Sequence, residues 1–360
     1  MPEKTRLKRR DFIKSLGLGA GAFALGRKAD VLAGAFPGPR FAGESLFPDF
    51  PLTQLYKKVE TPSRVSLVKG GDRYDIVFKS LKMIEDEVLS SIGDKKILLK
   101  PNIVLSECPL AVTHIDATRA VLDFLAPHHK KEILIAESGN QNTMAGFKNY
   151  GYLKLEKEYN VKIADLNTEG FQYRYALGLD NKPVAIRIIN TFLDPDVYLI
   201  SLARMKTHNY VFVTLSLKNV LVAAPLNDYP TKKNDKALMH MAAPARNDLL
   251  HFNMFHLAQE VYPDLAVIDG FEGMEGDGPG PRGTPIASRV ALASLDPLAA
   301  DIIATRVMGF DPKTVNYLTA MAEAGMGQSD FEKISLLGTP LDECLCAFKP
   351  NMRMAELYKL

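Results

Sequence analysis

The chain has 360 residues, 47% apolar and 24% charged, and its 44 Lys+Arg against 42 Asp+Glu give a formal net charge of +2. This is the composition of an ordinary globular protein and excludes disorder over most of the length. One large α/β domain or two smaller ones fit the length, and the position of the charges decides whether the slight basicity signals nucleic acid or a membrane surface.

The basic residues are concentrated at the start. Residues 1–33 hold eight of them, with Lys8, Arg9, Arg10 and Lys14 at the centre, against three acids. Ser15 to Gly26 follows as a Gly/Ala-rich, weakly apolar stretch of 12 residues, shorter than the roughly 20 that a membrane-spanning helix needs. A basic segment, a short apolar segment and a cleavage pattern with small side chains at its first and third positions, Val31-Leu32-Ala33 or Ala33-Gly34-Ala35, make a signal peptide. Lys8-Arg9-Arg10-Asp11-Phe12-Ile13-Lys14 has the order of a twin-arginine export signal. The expected partner of the precursor is therefore the twin-arginine (Tat) export machinery, and the expected location is periplasmic or otherwise extracytoplasmic, without a stable membrane span. Beyond residue 33 the chain keeps 36 basic and 39 acidic residues. No Arg-rich run or basic stripe interleaved with aromatics remains, so nucleic acid is not an expected partner.

Residues 34–62, with Pro37, Gly38, Pro39, Gly43, Pro48, Pro51 and Pro62, read as a linker or a surface arm. From there apolar runs alternate with helical periodicity. Strands are expected at Val65–Val68, Ile97–Leu99, Ile133–Ala136, Val161–Leu166, Val197–Ile200, Leu265–Ile268, Val290–Ala293 and Ile334–Leu337. Helices are expected at Asp75–Ile92, Ile115–Leu125, Phe147–Glu158, 214–222, 247–261, Pro297–Met308 and Thr314–Ala324, and a hairpin at 171–190. Continuous apolar strands alternating with amphipathic helices predict an α/β fold: a mostly parallel sheet with helices on both faces, in one lobe or two. This domain is expected over 63–345, with 346–360 as a C-terminal tail.

Ligands of such sheets bind beyond the carboxyl ends of the strands. Lys100-Pro101-Asn102, Glu137-Ser138-Gly139-Asn140 and Arg204 to Asn209 occupy such places. Glu137 could equally cap the next helix. Asp296-Pro297 reads most simply as a helix start, Asp at the cap and Pro at the first turn. In an extended segment residues two apart share a face, so Lys206 and His208 would point together, ready for proton transfer or for holding an anion. Lys218 and Asn219 lie in an otherwise apolar helical stretch, and His240 and Arg246 flank a polar Lys-rich loop, 227–236, that could act as a lid. The glycine-rich run Asp269 to Gly283 reads as a loop that either places Asp269, Glu275 and Asp277 on a divalent metal or serves as a flexible turn. It has neither the phosphate-loop order nor the EF-hand spacing. Three cysteines, Cys108, Cys344 and Cys346, are too few for a Cys-ligated iron–sulfur cluster.

Taken together, Lys100-Pro101-Asn102, Thr113, Lys206-Thr207-His208, Thr214 with Leu217-Lys218-Asn219, His240, Ile268-Asp269-Gly270, Gly278-Pro279 with Gly283, and Asp296-Pro297-x-Ala-x-Asp301 resemble the "domain of unknown function 362" proteins. The match runs from about residue 64 to 338. The resemblance implies one site built from Lys100, Asn102, Lys206, His208, Lys218, Asn219 and Asp269. Some members carry ferredoxin-like iron–sulfur segments, which this chain lacks. The expected function is an exported enzyme doing acid/base chemistry on a small anionic substrate, with a divalent metal as a candidate aid. Lys206, His208, Lys100 and His240 are the expected catalytic groups, and Asn102, Thr113, Lys218, Asn219 and Glu137 the expected substrate-binding ones. The other function considered is a non-catalytic cell-envelope protein that binds an anion or a metal.

Overall fold

A computed structural model describes residues 59–231, 233–240 and 248–359. The segment read as an export signal, most of the Pro/Gly-rich segment read as a linker, and Arg246 lie outside these residues.

The strands are β1 (Ser63–Lys69), β2 (Lys96–Pro101), β3 (Ile133–Glu137), β4 (Val161–Asp165), β5 (Phe171–Leu177), β6 (Pro183–Ile189), β7 (Val197–His208), β8 (Phe212–Thr214), β9 (Leu265–Asp277), β10 (Arg282–Ile286), β11 (Val290–Ser294) and β12 (Ile334–Gly338). The principal helices are α1 (Arg73–Lys82), α2 (Glu85–Ile92), α3 (Ile115–Leu125), α4 (Thr143–Asn149), α5 (Ser216–Leu221), α6 (Asp235–His240), α7 (Asp248–Leu257), α8 (Pro297–Val307), α9 (Asn316–Glu323) and α10 (Met352–Tyr358). The main sheet runs β12-β1-β11-β9-β7-β2-β3-β4, with β10 added on β9 and β8 on β7, while β5 and β6 form a separate hairpin. Along the main path only β11 runs against its neighbours. The sheet is thus mostly parallel, as expected.

Two apolar cores lie on its two faces. One packs α1, α2 and α3, through Ile76, Leu81, Val88, Val121 and Leu125, on Leu99, Ile135 and Ile200. The other packs α5, α7, α8 and α9, through Leu217, Leu221, Met254, Ile303 and Met321, on Leu98, Leu199 and Ile268. Strands buried on both sides must be apolar at successive positions, which is why their runs stand out in the sequence.

Four sequence expectations change. The helix expected over Phe147–Glu158 is instead the end of α4 at Asn149, a 3-10 turn at Tyr152–Lys154 and a single helical turn at Leu155–Glu158, with Gly151 at φ 81° after α4. The helix read over Asp75–Ile92 is two helices that break at Met83-Ile84, where Ile84 has φ −125° and ψ 22°. Ile84 is buried, so the apolar stripe continues across the break and conceals it. The glycine-rich run is not a loop. Asp269 to Asp277 continues β9 and pairs with β10 from Asp277↔Arg282 to Gly273↔Ile286. Gly273 is needed there because a Cβ would stand 2.6 Å from the Phe348 ring. Residues 346–360, read as a tail, carry α10 and bury Phe348 and Met354 against the second core.

Asp296 and Asp301 both start helices. Asp296 caps α8 by accepting from Ala299 N at 3.0 Å, with Pro297 at the first turn. Asp301 is fully buried and accepts from Ser216 N at 2.8 Å and Leu217 N at 3.0 Å, the first donors of α5. Leu215, at the cap position of α5, offers no side-chain bond of its own, so a carboxylate from α8 holds the helix that carries Lys218 and Asn219. Replacing Asp301 by Ala leaves two buried N–H groups without acceptors and should cost about 1–3 kcal/mol, measured from the urea midpoint.

Candidate functional site

Strand order places the site. From β2 the chain moves to β3 and β4 on one side, while β7 and β9 lie on the other, so the connection switches direction between β2 and β7. A crevice forms beyond the carboxyl ends of strands at such a point. Lys100 ends β2, Glu137 ends β3, and Lys206 and His208 end β7. β7 outruns the sheet and folds back on β8, pairing Lys206 with Thr214 and His208 with Phe212, before the chain enters α5. The turn brings Lys206, His208, Thr214, Lys218 and Asn219 onto one wall.

They line a cavity of about 190 Å³ together with Lys100, Asn102, Glu137, Ser138, Tyr210, Lys236 and His240. Its lining has four lysines and one carboxylate. The bonding of each lysine separates structural amines from available ones, since an ammonium has three donors. Lys100 Nζ spends all three, on Glu137 (2.8 Å), Asn219 Oδ1 (2.9 Å) and the Pro101 carbonyl (2.9 Å). Lys236 Nζ spends three on Ser138 Oγ (3.0 Å) and the Ala223 (2.6 Å) and Pro225 (2.7 Å) carbonyls. Lys206 Nζ donates to Asn102 Oδ1 and to the Ala111 carbonyl, which leaves one N–H. Lys218 Nζ has no acceptor among the described residues and keeps three.

The amides join these groups into one buried chain. Asn219 Oδ1 accepts from Lys100 and from Asn102 Nδ2 (2.9 Å), and Asn219 Nδ2 donates to the Lys100 carbonyl and Ser201 Oγ. Glu137 also accepts from Ile103 N and Ser138 N at 2.8 Å. It therefore holds Lys100 and the β2–α3 segment, while Asn142 caps α4. Thr113 is not on the cavity wall. Its hydroxyl accepts from Asn102 N and donates to the Leu202 carbonyl, tying the ends of β2 and β7.

Burial sets the protonation of the wall. It pushes Lys206 well below the ordinary lysine value, with Lys218 as the next cause. It brings Lys218 down to about 7, helped by Lys100, and Lys236 down to about 7. Burial also lowers Lys100, against the pull of Glu137. His208 is driven well below its usual range by burial and then Lys218, and His240 to about 4 by the same two causes. Both imidazoles are neutral near pH 7, and their partners fix opposite tautomers. His208 Nδ1 accepts from Tyr210 N at 3.1 Å, so its proton sits on Nε2. His240 Nδ1 faces the Lys236 carbonyl at 2.8 Å and must donate, so its Nε2 is an acceptor. The rings lie 6.3 Å apart between centroids, one offering a proton and the other a lone pair. Thr214 Oγ1, also on this wall, is buried without a partner.

Asp269, Glu275 and Asp277 do not converge. They are spread along β9, where six residues span ~20 Å. Asp269 bonds Arg73 and Phe271 N, Glu275 accepts from Lys349 N, and Asp277 accepts from Met352 N and Asn351. Among the described residues no group of three or more His, Cys, Asp or Glu is arranged to hold a metal ion. The 227–236 segment is pinned rather than free to close: Arg187 of β6 binds Asp228 (2.7 Å) and Asp235 (2.9 Å). Lys236 was missed because a lysine in a Lys-rich run looks solvated. Its burial follows from the chain turning at Pro225, whose carbonyl it caps.

Two variants test this account. Glu137→Gln strands the Lys100 cation and should destabilise by about 3–5 kcal/mol. Lys218→Met removes an unpaired buried cation and should stabilise the ligand-free protein by about 1–3 kcal/mol near pH 7. An unfolded lysine titrates near 10.4, so between about 7 and 10 the unfolded wild type holds more protons than the folded one. Wild-type stability therefore rises with pH across that window relative to Lys218→Met, and paired thermal melts should show the gap narrowing.

Comparison with known proteins adds a family. The chain is 26% identical over 250 residues, 69% of its own length and 73% of the other's, to the "Thylakoid-associated protein sll1697" of Synechocystis sp.. Among solved structures it is similar to the lactate racemase apoprotein from Thermoanaerobacterium thermosaccharolyticum, with 15% identity and a TM-score of 0.40. It is also similar to a structural-genomics protein from Thermotoga maritima, with 12% identity and a TM-score of 0.35. It covers 59% of each of those two chains, and 72% and 71% of itself respectively. The family model "Domain of unknown function (DUF362)" matches residues 97–306, more than half of the sequence, and the chain belongs to that family.

Proposed function

We propose that this protein is an enzyme that moves a proton on a small anionic substrate. The observation that carries the reading is the cavity wall itself: four buried lysines facing one carboxylate, with one amine wholly unpaired. A buried cation without a partner is costly, and an anion of one or two charges is the ligand that offsets it. Lys218 and the spare N–H of Lys206 supply its donors, with the free hydroxyl of Thr214 beside them. His208 Nε2–H serves as a hydrogen-bond donor to the oxygen that gains charge, and the His240 Nε2 lone pair as general base.

The protonation states give the test. Binding needs Lys218 charged, and its value in the free protein is about 7. Affinity for pyruvate, a monoanion throughout this range, measured by calorimetry, should be level below pH 7 and fall about tenfold per pH unit above it. Incubation of small carboxylic acids in heavy water should show solvent deuterium entering the substrate with wild type, and about a hundredfold or greater loss with His208→Gln and with His240→Gln. Absence of anion binding between pH 5 and 8 overturns the proposal. Binding without exchange for any acid favours the non-catalytic carrier.

We also propose that the precursor is exported by the twin-arginine route. Lys8-Arg9-Arg10 in the first segment supports this, and the Synechocystis relative is thylakoid-associated by its name. Among the described residues no helix is long and apolar enough to cross a membrane. Replacing Arg9 and Arg10 together by Lys should retain the precursor in the cytoplasm, read by fractionation. Undiminished export would refute the route.

A further inference from the structure

We propose that Lys218 is a nucleophile that forms a Schiff base with the carbonyl carbon of a small oxo acid. This rests on the reading of the cavity as an anion site and adds a covalent step to it. The three other lysines of the wall are held by acceptors from the fold, and two of them have no N–H left. Lys218 alone among them has an amine that no described residue engages. It is 7% exposed, and it is held on α5 by the Asp301 anchor. It lines the same cavity as Lys206, His208 and His240, so the amine lies among the groups that an attached substrate would need.

Burial and the neighbouring Lys100 bring the amine to about 7 in the free protein, so once the anion has docked on the charged form a proton is readily lost to give the free base, the state in which lysine attacks carbonyls. The step balances within the site. The Nζ lone pair adds to the carbonyl carbon, and the C=O π pair moves to oxygen, to which His208 Nε2–H donates a hydrogen bond. His240 Nε2 takes one proton from nitrogen and passes it to this oxygen to give a carbinolamine. It then takes the second and passes it to the hydroxyl, which leaves as water while the nitrogen lone pair forms the C=N bond. One C=O and one amine become one C=N and one water, with no change of oxidation state. The unpartnered Thr214 hydroxyl and the Lys206 amine line the same cavity and are the donors left for the carboxylate of the same substrate. The imine acidifies the neighbouring C–H, which gives the His pair a proton to move.

The test is reductive trapping. Full-length protein is incubated at pH 7 with pyruvate, or with glyoxylate, and sodium cyanoborohydride, and the labelled peptides are mapped by mass spectrometry. One reduced adduct on Lys218 is expected, about tenfold or more above any surface lysine, because a surface amine titrating near 10.4 is almost fully protonated at pH 7. The adduct should vanish in Lys218→Met, whose folding is checked by its melting temperature, and in urea-unfolded wild type the preference should disappear. Labelling spread evenly over surface lysines, or none at Lys218 while pyruvate still binds with the pH profile above, overturns the Schiff base and leaves the anion site standing. If neither oxo acid binds and phosphate does not bind either, both readings fall.

Discussion

Glu137 is the one carboxylate in a wall of lysines, and the geometry of the site depends on where that single negative charge is spent. It is spent on Lys100. Because Lys100 also bonds Asn219, and Asn219 bonds Asn102, and Asn102 bonds Lys206, the ion pair fixes the ends of β2, β3 and β7 and the start of α5 relative to one another. Half-satisfied buried networks are costly, so these side chains have little room to adopt a second arrangement. The cation left over, Lys218, has no partner among the described residues. Stability and the proposed function therefore conflict at this residue: the fold would be better off without the charge, and the proposed anion site needs it.

The two histidines show how backbone partners decide chemistry. Neither is tuned by a carboxylate. His208 receives an amide hydrogen and His240 meets a carbonyl, and those bonds set which nitrogen carries the proton. Two neutral rings with complementary free nitrogens result from the β7–β8 turn in one case and the last residue of α6 in the other.

Much of this was legible beforehand. The strands stood out because burial on both faces demands apolar side chains at every position. Lys100, Lys206 and His208 stood out because polar residues follow those runs at the ends where such folds bind ligands. What escaped notice has physical causes. The break at Ile84 preserves the apolar stripe, so no periodicity could reveal it. Gly273 and its neighbours looked like a loop because glycine signals turns, whereas here it makes room for Phe348, more than seventy residues later. Glu275 and Asp277 looked like metal ligands because their actual partners, Lys349, Asn351 and Met352, come from the far end of the chain. Thr113 sits next to the site in sequence motif and in space, yet it acts on backbone. Sequence could not distinguish a residue that lines the cavity from one that braces its wall.

The pairing of β1 has a consequence for biogenesis. The first strand of the domain is bonded on one side to β11 and on the other to β12, with Ser66 joined to Ala293 across 227 residues. A nascent chain thus presents β1 to solvent, with both edges open, until β11 and β12, more than 200 residues later, have left the ribosome. Completion of the sheet is dominated by non-local pairing, the slow kind, and an unpaired strand is the kind of surface that chaperones bind. Any cellular step that requires the finished fold must wait for residues near 338 to arrive.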